Sequence, residues 1–64
     1  MKGDLSPLLV RPEEAAKLLG IGRTKVYALM RCGALRSVRI DGLRRIPATA
    51  LAEFVARLEQ EQAA

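Results

Sequence analysis

Sixty-four residues, half of them hydrophobic, are enough for one domain with a single thin core, and so short a chain is marginally stable unless stapled. One cysteine and no histidine exclude an internal disulfide, a histidine-bearing zinc site and a Ser-His or Cys-His catalytic pair, so no enzyme, metal or other cofactor is expected. The net charge of +4 is unevenly placed: residues 23–45 hold seven basic residues against Asp41 alone, the footprint of a polyanion binder on an otherwise near-neutral chain.

Residues 1–10 contain Gly3 and Pro7, show no period and read as an extended N-terminal arm, with Leu8, Leu9 and Val10 available to dock on the core. The arm's apolar stretch is too short for a signal peptide, and no run approaches the ~18 residues of a membrane span. A cytoplasmic protein without membrane association is expected. The first helix is predicted over Pro12–Leu19. Proline suits its first position and Glu13 and Glu14 complement its dipole, although Arg11 is a poor cap. Ala15, Ala16, Leu18 and Leu19 form its expected buried face, and Gly20 its stop. Beyond Gly20-Ile21-Gly22, a second helix sets Val26, Leu29 and Met30 on one stripe at i, i+3, i+4 and ends at Gly33. Arg23, Thr24, Tyr27, Ala28 and Arg31 lie on the other side, with no acid among them. Two helices joined by a three-residue glycine turn, the second basic outside, describe a DNA-binding helix-turn-helix whose second helix enters a major groove.

After Gly33, Asp41-Gly42 stands between two β-branched runs, a strong hairpin signal. A two-residue loop would pair Ile40 with Leu43 and split Val38 and Ile46 between opposite faces. A three-residue loop would give the ribbon one apolar side, with Arg39 and Arg45 together on the other, and is the register preferred here. Either way the segment carries Arg36, Arg39, Arg44 and Arg45 and is a candidate wing. The last helix is predicted from about Ala48 to Glu59, opened by Pro47 or Thr49, with Leu51, Phe54, Val55 and Leu58 buried. The fold is mainly α with a small β-hairpin: one winged helix-turn-helix domain over residues 11–60, the arm before it and a frayed tail over 61–64.

The pattern RPEEAAKLLGIGRTKVYALMRCGAL, then VRIDGLRRIP, then ALAEFV resembles the excisionase-type branch of the MerR superfamily of winged helix-turn-helix proteins, which includes AlpA-like and BldC-like members. The similarity spans roughly residues 8–58, from EEAA-LLG in the first helix, through R-x-x-VY in the second, to a wing ending RRIP. It implies a second helix that reads the major groove and a wing on the backbone or in the minor groove. It also implies a role either as an excisionase that steers an integrase toward excision or as a small transcriptional regulator. Family members commonly carry Ser in place of Gly22 and a larger, often basic residue in place of Ala28.

Candidate DNA contacts follow. Arg23, Thr24 and Lys25 occupy the first turn of the second helix, the part that usually meets base edges, with Arg23 suited to a guanine. Tyr27 lies one turn on and suits a phosphate, the alternative being a half-buried core ring. Ala28 suits a thymine methyl, and Arg31 continues the stripe toward phosphate. Arg36, Arg39, Arg44 and Arg45 supply the wing, although charges on an edge ribbon also guard against aggregation. A single domain covers few base pairs, so useful specificity calls for several copies bound head to tail on repeated sites, bending the DNA for an integrase. The alternatives are a BldC-like regulator and, in another class, a protein-interaction module such as an antirepressor. No small-molecule ligand is expected.

Overall fold

The computed structural model describes residues 8–63; residues 1–7 of the expected arm, and Ala64 of the expected tail, lie outside the described residues. The elements run β1 (Leu9–Val10), α1 (Pro12–Leu19), α2 (Arg23–Arg31), β2 (Val38–Ile40), β3 (Leu43–Pro47) and α3 (Ala48–Gln62). The strands form an antiparallel sheet in the order β1-β3-β2, against which α1 and α3 pack, while α2 packs on α1. This is the mainly helical winged helix-turn-helix that the sequence predicts.

Local chemistry accounts for the helix ends. Pro12 opens α1, and the Glu14 carboxylate accepts the Arg11 N–H at 2.9 Å, half of a capping box. Gly20 ends it in the left-handed region, at φ +71. The Gly20 N–H donates to Lys17 O at 3.2 Å and the Ile21 N–H to Ala16 O at 3.0 Å, a Schellman closure. A Cβ on Gly20 would meet nothing within 4 Å, so the position demands glycine for its backbone alone. Gly20→Ala is therefore expected to cost roughly 1–2 kcal/mol, read as a lower midpoint in thermal unfolding.

The hairpin departs from the preferred register. Ile40 pairs with Leu43, Arg39 with Arg44 and Val38 with Arg45, so the loop holds two residues. Asp41 at φ +51 and Gly42 at φ +81 both take left-handed backbone, the type I′ geometry whose twist matches that of the strands it joins. Turn chemistry overrides apolar patterning here. Because cross-strand partners share a face, Arg39, Arg44 and Ile46 lie on the inner face. Val38, Ile40, Leu43 and Arg45 lie on the outer one.

Other expectations also change. Leu9 pairs with Pro47 and Val10 with Ile46, so the end of the expected arm is an edge strand of the domain. The Ala48 N–H donating to Leu8 O at 2.9 Å extends that tie into α3. Helix α3 runs through Gln62, three residues past its predicted end, since Glu, Gln and Ala are all good helix formers. Leu18 is 69% exposed, because the face of α1 that meets the core is Pro12, Ala15, Ala16 and Leu19. Val55 is 39% exposed, and Leu58 half-buried. The core gathers Val10, Ala15, Val26, Met30, Leu35, Ile46, Leu51 and Phe54 around the central strand β3.

Candidate nucleic-acid interface

Helix α2 buries Val26 and Met30, with half-buried Leu29 packed alongside, and this fixes which side faces water. Arg23, Thr24, Lys25, Tyr27 and Arg31 are exposed, and Ala28 is half-buried. Its N-cap, Gly22, offers no side-chain acceptor, and the first helical bond is Val26 N–H to Gly22 O at 3.2 Å. The N–H groups of Arg23, Thr24 and Lys25 thus precede the helical ladder, at the end of the helix that favours anions.

The structure brings helix and wing together at one place. Tyr27, Met30 and Arg31 of α2 and Arg44 of β3 line an open cleft of about 300 Å³. Met30 supplies its apolar floor, and the tyrosine and the two guanidinium groups its rim. Arg39 stands directly opposite Arg44, and neither joins an ion pair among the described residues. Like charges facing each other across a ribbon repel, and an anion placed between them relieves that repulsion. The Nε of Arg44 is enclosed without a hydrogen-bond partner, so this half-buried guanidinium is incompletely satisfied in the protein alone.

The remaining predicted residues separate from this cleft. Arg45 lies on the outer face of the ribbon, and its guanidinium donates to Arg44 O at 2.7 Å. Arg36 precedes the hairpin and turns to α3, where it donates to Glu53 Oε1 at 3.2 Å and Thr49 Oγ1 at 3.4 Å. Arg57 of α3 donates to Ala34 O, which ties down the same connection. Neither the Arg36 nor the Arg57 tether was legible in the sequence, because each joins positions 13 to 23 residues apart.

A further missed contact is made by Glu13, whose Oε2 lies 3.8 Å from the Arg23 guanidinium. Both side chains are about half exposed or more, so the pair is worth roughly 0–1 kcal/mol. It nevertheless places an acid of α1 against the foremost cation of α2. Glu13→Gln releases Arg23 and removes a negative charge, so DNA affinity is expected to rise up to about fivefold, as measured by fluorescence anisotropy at low salt. Among the described residues, no three His, Cys, Asp or Glu side chains gather as a metal site, and no helix is long and apolar enough to cross a membrane. Cys32 is exposed, with its Sγ 3.5 Å from Leu29 O.

Comparison with known proteins agrees with this fold. A family model described as a helix-turn-helix domain matches residues 9–59. The chain is 56% identical over 57 residues to a protein of Saccharopolyspora erythraea named as a "probable excisionase", a match covering 89% of this chain and 58% of that protein. It is 48% identical over 48 residues to an excisionase of Streptomyces ambofaciens, covering 75% of this chain and 76% of that one. The chain thus spans less than two thirds of the Saccharopolyspora relative's length. No solved structure matches it. A helix-turn-helix match across most of its length and an excisionase relative covered over three quarters of its own make this chain a member of the helix-turn-helix domain family, in its excisionase-type branch.

Proposed function

We propose that this chain is an excisionase: a sequence-specific binder of double-stranded DNA, itself without catalytic activity, that occupies repeated sites and bends DNA to steer an integrase toward excision. Helix α2 enters the major groove with Arg23, Thr24, Lys25 and Ala28 toward base edges. Tyr27 and Arg31 meet the flanking phosphates, and the hairpin lies on the backbone beside them through Arg39 and Arg44. The observation that carries this reading is the cleft where α2 meets β3, at which Tyr27, Arg31 and Arg44 share one rim. Basic groups beside the outward face of a recognition helix suit the phosphate backbone that borders the groove such a helix enters. The names of the relatives support the excision role.

The experiment is selection from a random duplex library, followed by gel-shift titration on the enriched sequence. Enrichment of closely spaced direct repeats, with bound complexes appearing stepwise, is the expected result. With Arg31, Arg39 and Arg44 as its basic groups at phosphates, affinity falls about 40-fold between 50 and 200 mM salt. Failure to enrich any sequence over background sinks the proposal and leaves the basic face to a protein partner.

A further inference from the structure

The start of α2 draws anions of every kind. Arg23 and Lys25 stand in its first turn with no acid beside them in the helix, and the Gly22 cap gives the first backbone N–H groups no side-chain acceptor. A phosphate of any duplex suits such an end, and a phosphate contact carries no sequence information. A guanine edge is a different ligand. Its O6 and N7 are neutral acceptors, which gain more from two well-aimed N–H donors than from a nearby positive charge.

Glu13 acts on that difference. It stands at the second position of α1, and the buried Pro12, Ala15 and Ala16 hold the helix that carries it. The closure at Gly20 and the packing of α1 on α2 then bring its Oε2 to 3.8 Å from the Arg23 guanidinium. At that separation the two charges attract, but no hydrogen bond forms. Glu13 therefore offsets the charge of Arg23 and leaves its N–H donors free for another acceptor. Its neighbour Glu14 plays no such part, because that carboxylate accepts the Arg11 N–H. Lys25 joins no ion pair among the described residues, so the acid is matched to one of the two cations.

We infer that Glu13 is a specificity-determining residue that acts through Arg23, holding it back from phosphates and reserving it for a guanine edge. The inference rests on the DNA-binding reading. A phosphate approaching Arg23 meets the Glu13 carboxylate as a like charge, whereas a neutral guanine edge meets only the donors. The ion pair thus survives base reading and is lost on phosphate contact. Both side chains are about half exposed or more, so the discrimination reaches at most about fivefold and fades as salt screens it.

The test is a double-mutant cycle read by anisotropy on two duplexes, the selected sequence and a random one, at several salt concentrations. The proteins are the wild type, Glu13→Gln, Arg23→Ala and the double variant. Glu59→Gln serves as a control that removes the same charge from α3. Glu13 and Glu59 are exposed, and circular dichroism melting checks that each variant folds. Glu13→Gln is expected to bind the random duplex about 3–5-fold more tightly and the selected one less than about twofold more tightly, so its sequence preference falls. Its salt-dependence slope on the random duplex should steepen by about 0.9, because Arg23 there takes a phosphate. In the Arg23→Ala background the same change should leave the preference unaltered, and so should Glu59→Gln in the wild type. An unchanged preference in Glu13→Gln overturns the role of Glu13, as does an equal loss without Arg23 or in Glu59→Gln. Weaker binding of the selected sequence by Glu13→Gln also overturns it, by placing the carboxylate itself on a base. A wild type that prefers no sequence overturns the DNA reading, and this role with it.

Discussion

Ile46→Ala is expected to leave the chain largely unfolded at room temperature. Ile46 is fully buried, one of the three largest side chains so enclosed, with Leu35 and Val26. It sits on β3, the strand that pairs on both sides and receives α1 and α3, so its truncation opens a cavity where every layer meets. Removing those methyl and methylene groups costs about 2–5 kcal/mol, whereas a core of this size supplies rarely more than ~3–5 kcal/mol in all. Ile46→Val deletes one methylene, costs about 0.5–1.5 kcal/mol and should remain folded, with a midpoint lower by roughly 4–8 °C per kcal/mol. Circular dichroism melting of the pair decides the point. An Ile46→Ala protein that melts within a few degrees of wild type would mean that the core is not centred on β3.

What was legible in the sequence follows from the range of each signal. Helices α1 and α2 and the turn between them rest on Pro12, Gly20, Gly22 and Gly33, residues that act on their own backbone, and the structure has them where they were expected. The same locality identified the Asp41-Gly42 turn. It did not settle the register, because an appeal to one apolar face competed with the left-handed geometry of both turn residues, and the geometry prevails. Strand β1 was invisible as a strand: two residues have no alternation, and Leu9 and Val10 become a strand only by pairing with β3. Leu18 and Val55 look like core residues by composition, yet no described residue buries them.

The candidate interface divides in the same way. Helical periodicity was enough to put Arg23, Tyr27 and Arg31 on the outward side of α2. Within the wing, charge counting treated four arginines as equivalent, and the register separates them. Arg39 and Arg44 face each other beside the recognition helix, Arg45 lies behind them, and Arg36 is tethered to α3. Glu13 was legible only as a helix-dipole residue, because its contact with Arg23 arises from the packing of α1 on α2.

Those differences give the arginines distinct expected phenotypes. Arg23, in the first turn of α2, is the candidate for a two-pronged contact to a guanine edge. Arg23→Ala should cost ~1–3 kcal/mol on the selected sequence and relax the preference at one base position. Its effect on random DNA should be smaller, because there only its charge is lost. Arg44→Ala should weaken selected and random duplexes alike and lower the salt-dependence slope by about 0.9, the signature of one lost phosphate. Arg36→Ala should change neither, because its guanidinium is engaged by Glu53 and Thr49; losing that surface pair costs at most ~1 kcal/mol of stability. Anisotropy titrations on matched and random duplexes at several salt concentrations separate the three. Similar losses for Arg23→Ala and Arg44→Ala on both kinds of DNA would leave no distinction between a reading helix and a backbone-bound wing. A lowered salt slope in Arg36→Ala would mean that Arg36 leaves Glu53 when DNA arrives, because a carboxylate at 3.2 Å holds the guanidinium only until a phosphate competes better for it.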